Sequence, residues 1–413
     1  MPNYNRAKHS CYFSYVATAP AFSLPALLFM TFHDMYGISY TLLGTLVVVN
    51  FCTQLAIDLV FTFFTKYFNI HKTLRFTPII TMTGFLIYAL VPTLFPQVAY
   101  LGLVLGTMIF SVSAGLNEVL ISPTVAAIPS EHPERDMSML HSLYAWGVLG
   151  VILVSTLFFT IFGAENWMYL TLFYALLPVI SCIMFCMSPL PEMNLVPEKE
   201  TSAARSKSRT FGMTLCVIAI FLGSAAENTM TNWVSSFLET ALRIPKAAGD
   251  IFGMAVFALL LGFARTLYAK YGKNIWNVLL ISMIGAVCCY LTVSFCPIPI
   301  ISLIACVFTG FCTSMLWPGM LILMEEKFPN PGVAAYALMA AGGDFGASIA
   351  PQTLGIVVDK VAVSAWAIEL GNTLNLAPEQ IGMKVGMLVA AIFPILGIGA
   401  LLYIKYYFKK KTV

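Results

Sequence analysis

The sequence predicts an all-α polytopic membrane protein, with twelve transmembrane helices in two pseudo-symmetric six-helix bundles. Three observations carry this. Of 413 residues, 59% are hydrophobic and 10% charged, against roughly half and a quarter in soluble domains, and mean hydropathy is +0.85. Apolar runs able to cross a hydrocarbon core of about 30 Å recur along the whole chain. In lipid the backbone must be satisfied within the chain, and runs this long and continuous do so as helices. Finally, Lys and Arg gather on one side of those runs.

The spans are expected at 11–31, 41–64, 74–94, 98–128, 137–163, 167–188, 211–238, 248–269, 276–295, 300–324, 334–358 and 381–407. The first follows Arg6 and Lys8, and its "ATA" at 17–19 mimics a signal-peptide cleavage site. The apolar part before that site is only about seven residues and runs on beyond it, so the segment reads as an uncleaved span. The second carries Asp58, eight residues before Lys66 and near the cytoplasmic boundary, a spacing that suits a structural or gating pair. The fourth contains "SAGLNEVLISP", whose Glu118 is the only charge between Val98 and Ile128. The fifth opens with "MLHSLYAWG", which places His141, Tyr144 and Trp146 at its start.

A stretch rich in Pro, Ser and charge, 189–210, follows the sixth span and marks a cytoplasmic linker between an N-terminal bundle (1–188) and a C-terminal bundle (211–413). The seventh span, in "GSAAENTMTNW", carries Glu227, Asn228 and Trp233. The eighth holds Arg265, the tenth Trp317 and the eleventh "AAGGDFGASIAP" with Asp344. The halves echo one another: Gly115 and Pro123 in the fourth span are spaced as Gly310 and Pro318 in the tenth, and Lys66-Tyr67 closes the second span as Lys270-Tyr271 closes the eighth. Such echoes suggest parallel repeats with a binding site at the midplane.

With both termini cytoplasmic, 18 of the 22 Lys and Arg fall inside, and only Arg243, Lys246, Lys360 and Lys384 fall outside. The net charge of +3 therefore reflects topology, not nucleic-acid binding. The ten cysteines all lie in or at the ends of spans without zinc-type spacing, as packing residues do. No phosphate loop, HExxH or serine elbow occurs, which disfavours ATP-driven transport and proteolysis. No cofactor or metal is expected.

Glu118 lies eleven residues before Pro129, about 16 Å into the membrane at 1.5 Å per residue. A charge there costs roughly 2.5–3.5 kcal/mol on the lenient insertion scale, so the carboxyl must face water, meet a cation or stay protonated. Each alternative ties its proton to whatever else enters the cavity, which is what a proton-coupled carrier requires; the plain alternative is a protonated Glu bonded to a neighbouring helix. Glu227 is the second proton-coupling candidate. Asp344 is either a cavity residue or half of a structural pair, with Arg265 the nearest plausible cation by depth. Asn117, His141, Tyr144, Trp146, Asn228, Trp233 and Trp317 are candidate substrate contacts, since aromatic faces suit the apolar side of a sugar ring; each of the aromatic residues is equally compatible with packing, and so is His141.

On these residues the chain resembles the major facilitator superfamily, and within it the fucose permease-like branch of sugar:proton symporters. "LNEVLISP" resembles that branch's fourth-span acid-and-Pro pattern, and "LHSLYAWG" its fifth-span polar-aromatic stretch. "GFCTSMLWP" and "GGDFGASIAPQTLGIVVD" resemble its tenth and eleventh spans, and "GSAAENTMTNW" is similar to a seventh-span acid-and-Trp motif. The resemblance implies that Glu118 couples protons to sugar and that His141 and Tyr144 line the cavity. There are two departures: the first span lacks the acid that fucose permeases carry, and the family's loop motif is reduced to "FTFFTKYFNIHK".

The expected function is secondary active transport of a small polar solute, a sugar, by proton symport with alternating access, in a monomer in the plasma membrane. Proton-driven export of amphipathic compounds is one alternative. A non-transporting sensor on a carrier fold is another.

Overall fold

The computed structural model describes residues 4–64, 67–130, 133–191, 207–271, 274–328 and 333–411, and among them every regular element is helical. Two compact units result, Met1–Ile38 with Val49–Val196, and Ser39–Val48 with Pro197–Val413. Most of the expected linker, 192–206, lies outside the described residues.

Unit 1 contains α1 (Asn5–Tyr36), most of α2 (Tyr40–Phe64), α3 (Ile70–Leu94), α4 (Ala99–Ala126), α5 (Pro133–Phe162), α6 (Trp167–Tyr174) and α7 (Leu176–Cys186). Unit 2 takes the first turns of α2 together with α8 (Lys207–Thr240), α9 (Lys246–Ala248), a π-helical turn (Gly249–Ala255), α10 (Val256–Tyr271), α11 (Ile275–Phe295) and α12 (Pro299–Thr313). It ends with α13 (Pro318–Lys327), α14 (Val333–Ala362), α15 (Ala365–Leu374), α16 (Pro378–Ala390) and α17 (Ile392–Lys411).

Ten helical stretches among the described residues are long and apolar enough to cross a membrane. The expected fifth and eleventh spans correspond to α5 and α14. Each is 30 residues long, about 45 Å at 1.5 Å per residue, yet only Trp146–Phe162 of α5 is an apolar run. In α14, Asp344, Gln352, Asp359 and Lys360 dilute the apolar residues. The count of twelve is our proposal, resting on those two lengths. Several spans are also less regular than expected: the sixth divides into α6 and α7, the eighth starts as a π-helix, and α15 is an additional helix between the last two spans.

Local sequence explains the ends. Gly37, at φ +64°, closes α1 by donating its N–H to the His33 carbonyl, a left-handed position that glycine adopts without a Cβ clash. Asn69 caps α3 by accepting from Lys72 N at 3.0 Å, and Asn274 caps α11 by accepting from Asn277 N at 3.2 Å. These helices open the expected third and ninth spans, so the same cap recurs at corresponding places in the two halves.

Packing within each unit relies on small residues, because apolar side chains gain little by leaving lipid and close backbone approach must supply the contact. In unit 1 a Cβ on Gly84 would stand 2.5 Å from Phe110 N, and one on Gly106 2.7 Å from Tyr88 Cα. Beside this α3–α4 seam, Phe32 packs edge-on to Trp167 at 5.0 Å and to Tyr88 at 5.9 Å. In unit 2 the glycine-rich stretch of α14 lies against α8: a Cβ on Gly346 would collide with the Phe221 carbonyl, and one on Gly342 would lie 2.7 Å from Val217 Cγ1. The helix runs through this stretch unbroken, so its glycines serve contact and not a break.

Gly346→Val should therefore force α14 off α8 and lower stability by about 1–3 kcal/mol, the usual range for overpacking. Gly262→Ala, where nothing lies within 4 Å, should leave the thermal unfolding midpoint in detergent unchanged or slightly raised. Equal midpoints for the two variants would contradict the close-packing role.

Candidate functional site

In unit 2 the polar site is built where a helix breaks. The tenth span is not one helix: α12 stops at Thr313, residues 314–317 form a turn, and α13 begins at Pro318. Proline has no N–H, so the Ser314 carbonyl, its partner four residues back, loses its helical donor. Arg265 Nε on α10 supplies one at 2.9 Å. The same guanidinium reaches across to α8, where Arg265 Nη2 lies 3.2 Å from Glu227 Oε1. One cation thus mends a broken helix and pairs with a half-buried acid. The second carboxylate oxygen, Glu227 Oε2, is buried and has no hydrogen-bond partner among the described residues.

This pairing revises the expectation that placed Arg265 beside Asp344. Depth along the helices allowed either acid, and the packing of both α8 and α10 on α12 brings Arg265 to Glu227. Asp344 is 8% exposed within the α14 seam. Its neighbour Gly343 leaves room for the Trp317 ring, which a Cβ there would strike. Trp317 is half-buried and sits at the break, so Trp317, Asp344 and the Glu227–Arg265 pair all belong to the elements around residues 314–317. Asn228 is half-buried and donates back to Ser224 O and Oγ at 3.1 and 3.2 Å. Trp233 is fully buried, and its indole N–H goes to the Pro351 carbonyl at 3.0 Å. Its ring is part of the packing of unit 2.

In unit 1, Glu118 lies well inside α4 and is exposed, beside a buried Asn117 and a half-buried Val119. It has no hydrogen-bond or ion-pair partner among the described residues. Asn117 turns the other way, toward α1, donating to Thr18 Oγ1 at 2.9 Å while its own Oδ1 stays buried without a partner among the described residues. The first span, which lacks an acid, thus meets α4 through a hydroxyl. Tyr144 on α5 packs edge-on against Phe22 of α1 at 5.5 Å. Gly147, which closes the same motif, allows that approach, since a Cβ would lie 3.0 Å from Ala19 Cβ. Trp146 is 62% exposed. The side chains of His141 and Asp58, and Lys66 as a whole, lie outside the described residues.

Three polar groups escaped the sequence reading. Asn50 accepts from Gln54 Nε2 at 3.0 Å and from Ser111 Oγ at 2.6 Å, a buried link between α2 and α4; the signal was two amides four apart in "VVVNFCTQ". Asp250, fully buried in the π-helical turn, accepts from Ser235 Oγ and lies 3.7 Å from Lys246 Nζ. Asp359 accepts the backbone N–H groups of Tyr40 and Thr41 at 3.1 and 2.7 Å, capping α2 from within unit 2. No local pattern signals this last contact. Among the described residues no cluster of His, Cys, Asp or Glu suits a metal.

Arg265→Met should leave the Ser314 carbonyl and Glu227 both unsatisfied and lower stability by roughly 1–3 kcal/mol, seen as a fall in the unfolding midpoint in detergent. Adding Glu227→Gln to that variant should restore part of the loss, because the lone acid is gone. A double variant no more stable than Arg265→Met would remove the ion pair from the explanation.

The sequence profile of the Major Facilitator Superfamily matches residues 11–351. A search of curated proteins gave no match. Among solved structures, a D-xylose–proton symporter is similar at 14% identity, covering 94% of this chain and 96% of its own, with a TM-score of 0.72. A bacterial homolog of the human lysosomal transporter Spinster, in an inward-facing and occupied conformation, is similar at 10% identity, with 98% and 97% covered and a TM-score of 0.75. A point variant of the E. coli fucose:proton symporter is similar at 13% identity, with 95% and 99% covered and a TM-score of 0.54. At such identities the likeness to these structures is one of fold. The profile match across most of the chain, on helices that carry buried acids within apolar spans, makes this membrane transporter a member of the major facilitator superfamily.

Proposed function

We propose that the protein carries a small polar solute, a sugar, by proton symport with alternating access, and that Glu118 is the group whose protonation is coupled to solute binding. One observation carries the reading: a carboxylate deep within an apolar helix that is exposed and has no partner among the described residues. With no cation beside it among the described residues to hold it ionised, its proton responds to water, solute and membrane side. Glu227 is the contrasting acid. Its pairing with Arg265 suits a fixed charge, with Oε2 left to accept from a solute hydroxyl.

The solute class rests on the chemistry of the interior. Amide and hydroxyl groups, Asn117, Thr18, Asn50 and Gln54, dominate the polar interior of unit 1, and neutral hydrogen-bonding groups suit a neutral polyol. Exposed Trp146 and half-buried Trp317 offer ring faces of the kind that stack on sugars. We further propose a plasma-membrane location with cytoplasmic termini, from the one-sided distribution of Lys and Arg, and function as a single chain.

The test is uptake in reconstituted vesicles under an imposed pH gradient, screening a sugar panel. Wild type should accumulate one class of sugar. Glu118→Gln should lose gradient-driven accumulation by roughly tenfold or more, a change of about 1.4 kcal/mol in coupling, yet retain exchange of labelled for unlabelled solute. Accumulation unchanged by the substitution would exclude Glu118 from coupling. Efflux of amphipathic compounds without sugar uptake would favour export, and no flux of any solute would favour a sensor.

A further inference from the structure

A second, separate binding site is built into unit 2. Where α8, α11, α15 and α16 end or begin, they surround a cavity of about 590 Å³, within the range of small-molecule sites. Its walls are mostly apolar, including Phe295, Leu370, Leu374 and Leu388, and the lining contains no acidic residue. It does contain two cations, Arg243 and Lys384. These are two of the four basic residues that the sequence assigns to the outer face.

Neither cation has a carboxylate partner among the described residues. Lys384 is half-buried on α16, and its ammonium is satisfied by the Cys296 carbonyl at 3.0 Å. Arg243 Nη2 donates to Gln380 Oε1 at 3.2 Å. A half-buried ammonium on an apolar helix without a counter-ion is unfavourable and attracts an anion. Half-buried Lys384, with exposed Arg243 just beyond α8 at the rim of the same apolar hollow, defines a ligand with a negative head and an apolar body.

The backbone supports the same reading. The non-glycine residues with positive φ among those described are Arg243 at +53° and Asn375 at +59°, and both line this cavity. Asn375 closes α15, a position that Asn tolerates well. Arginine gains nothing from a left-handed conformation that glycine would adopt freely, so its presence at the end of α8 indicates a use for the side chain. Gln380, 5% exposed, fixes that side chain in place. Its Oε1 also accepts from Ala377 N at 2.9 Å, while its Nε2 donates to the Ala241 carbonyl at 3.0 Å. One guanidinium nitrogen is thus already oriented by a buried side chain, which limits the ordering cost of binding.

We propose that this cavity binds an anionic amphiphile, a carboxylate or phosphate head at Arg243 and Lys384 with its alkyl body along Phe295, Leu370 and Leu374. The site is independent of the transported solute and of Glu118.

The probe is labelled dodecanoate, titrated onto the full-length protein in phosphatidylcholine nanodiscs. Binding should saturate, be competed by dodecyl phosphate and be left unaffected by dodecanol. Lys384→Met should weaken it roughly tenfold and Lys384→Arg should largely restore it. Arg243→Gly, which keeps the backbone conformation and removes the side chain, should weaken it similarly. Nanodiscs that also contain phosphatidylglycerol separate the two sources of such a head: loss of dodecanoate binding there identifies a bilayer lipid, and retained binding identifies a free amphiphile from water. Competition by dodecanol equal to that by dodecyl phosphate, binding unchanged in the charge variants, or no saturable binding would each overturn the proposal.

Discussion

A carbonyl without a donor inside a membrane-spanning helix destabilises the chain by several kcal/mol, because lipid offers no substitute. Nearly every feature of this structure follows from meeting that demand or from departing from it at a chosen place. Long uninterrupted helices meet it by default. The departure is at residues 314–317, where Pro318 removes a helical donor and Arg265 restores it from a neighbouring helix. The position of Arg265 in turn fixes which acid is neutralised. Backbone chemistry on one helix therefore sets the electrostatics of two others.

Much of this was legible in the sequence. Apolar runs anticipated the ten helical stretches among the described residues that are long and apolar enough to cross a membrane, and Glu118 and Glu227 stood out as the lone acids of their runs. The glycines of "AAGGDFGAS" announced close contact or a bend, and the structure resolves these as contact. The Gly and Pro echo was visible but its outcome was not. Pro123 lies inside the continuous α4 while Pro318 starts a new helix, although the spacing from glycine is identical. Whether a proline breaks a helix depends on what stands ready to bond the freed carbonyl, and that is a tertiary property. The partner of Arg265 was hidden for the same reason, since depth along a helix gives no rotation about it. The contact of Asn50 with Ser111 and the cap from Asp359 join residues 61 and more than 300 positions apart, beyond the reach of any local pattern.

The two units treat their acids differently. Unit 2 balances Glu227 with a cation and a reorganised backbone. Unit 1 leaves Glu118 without a partner among the described residues, and gives the adjacent Asn117 the structural contact with α1. Repeats that share spacing and caps thus differ at their acids, one paired with a cation and the other without a partner among the described residues.

The cap that Asp359 places on α2 also bears on how the protein is made. Tyr40 and Thr41 leave the ribosome more than 300 residues before their hydrogen-bond acceptor exists, and residues 39–48 belong to the unit otherwise formed by the second half of the chain. During synthesis the first turn of α2 must wait with its amides unsatisfied, or bonded to water, until α14 arrives. Completion of unit 2 is therefore a late event of biogenesis that reaches back to the second span, and a chain interrupted before residue 359 would leave an early helix unfinished.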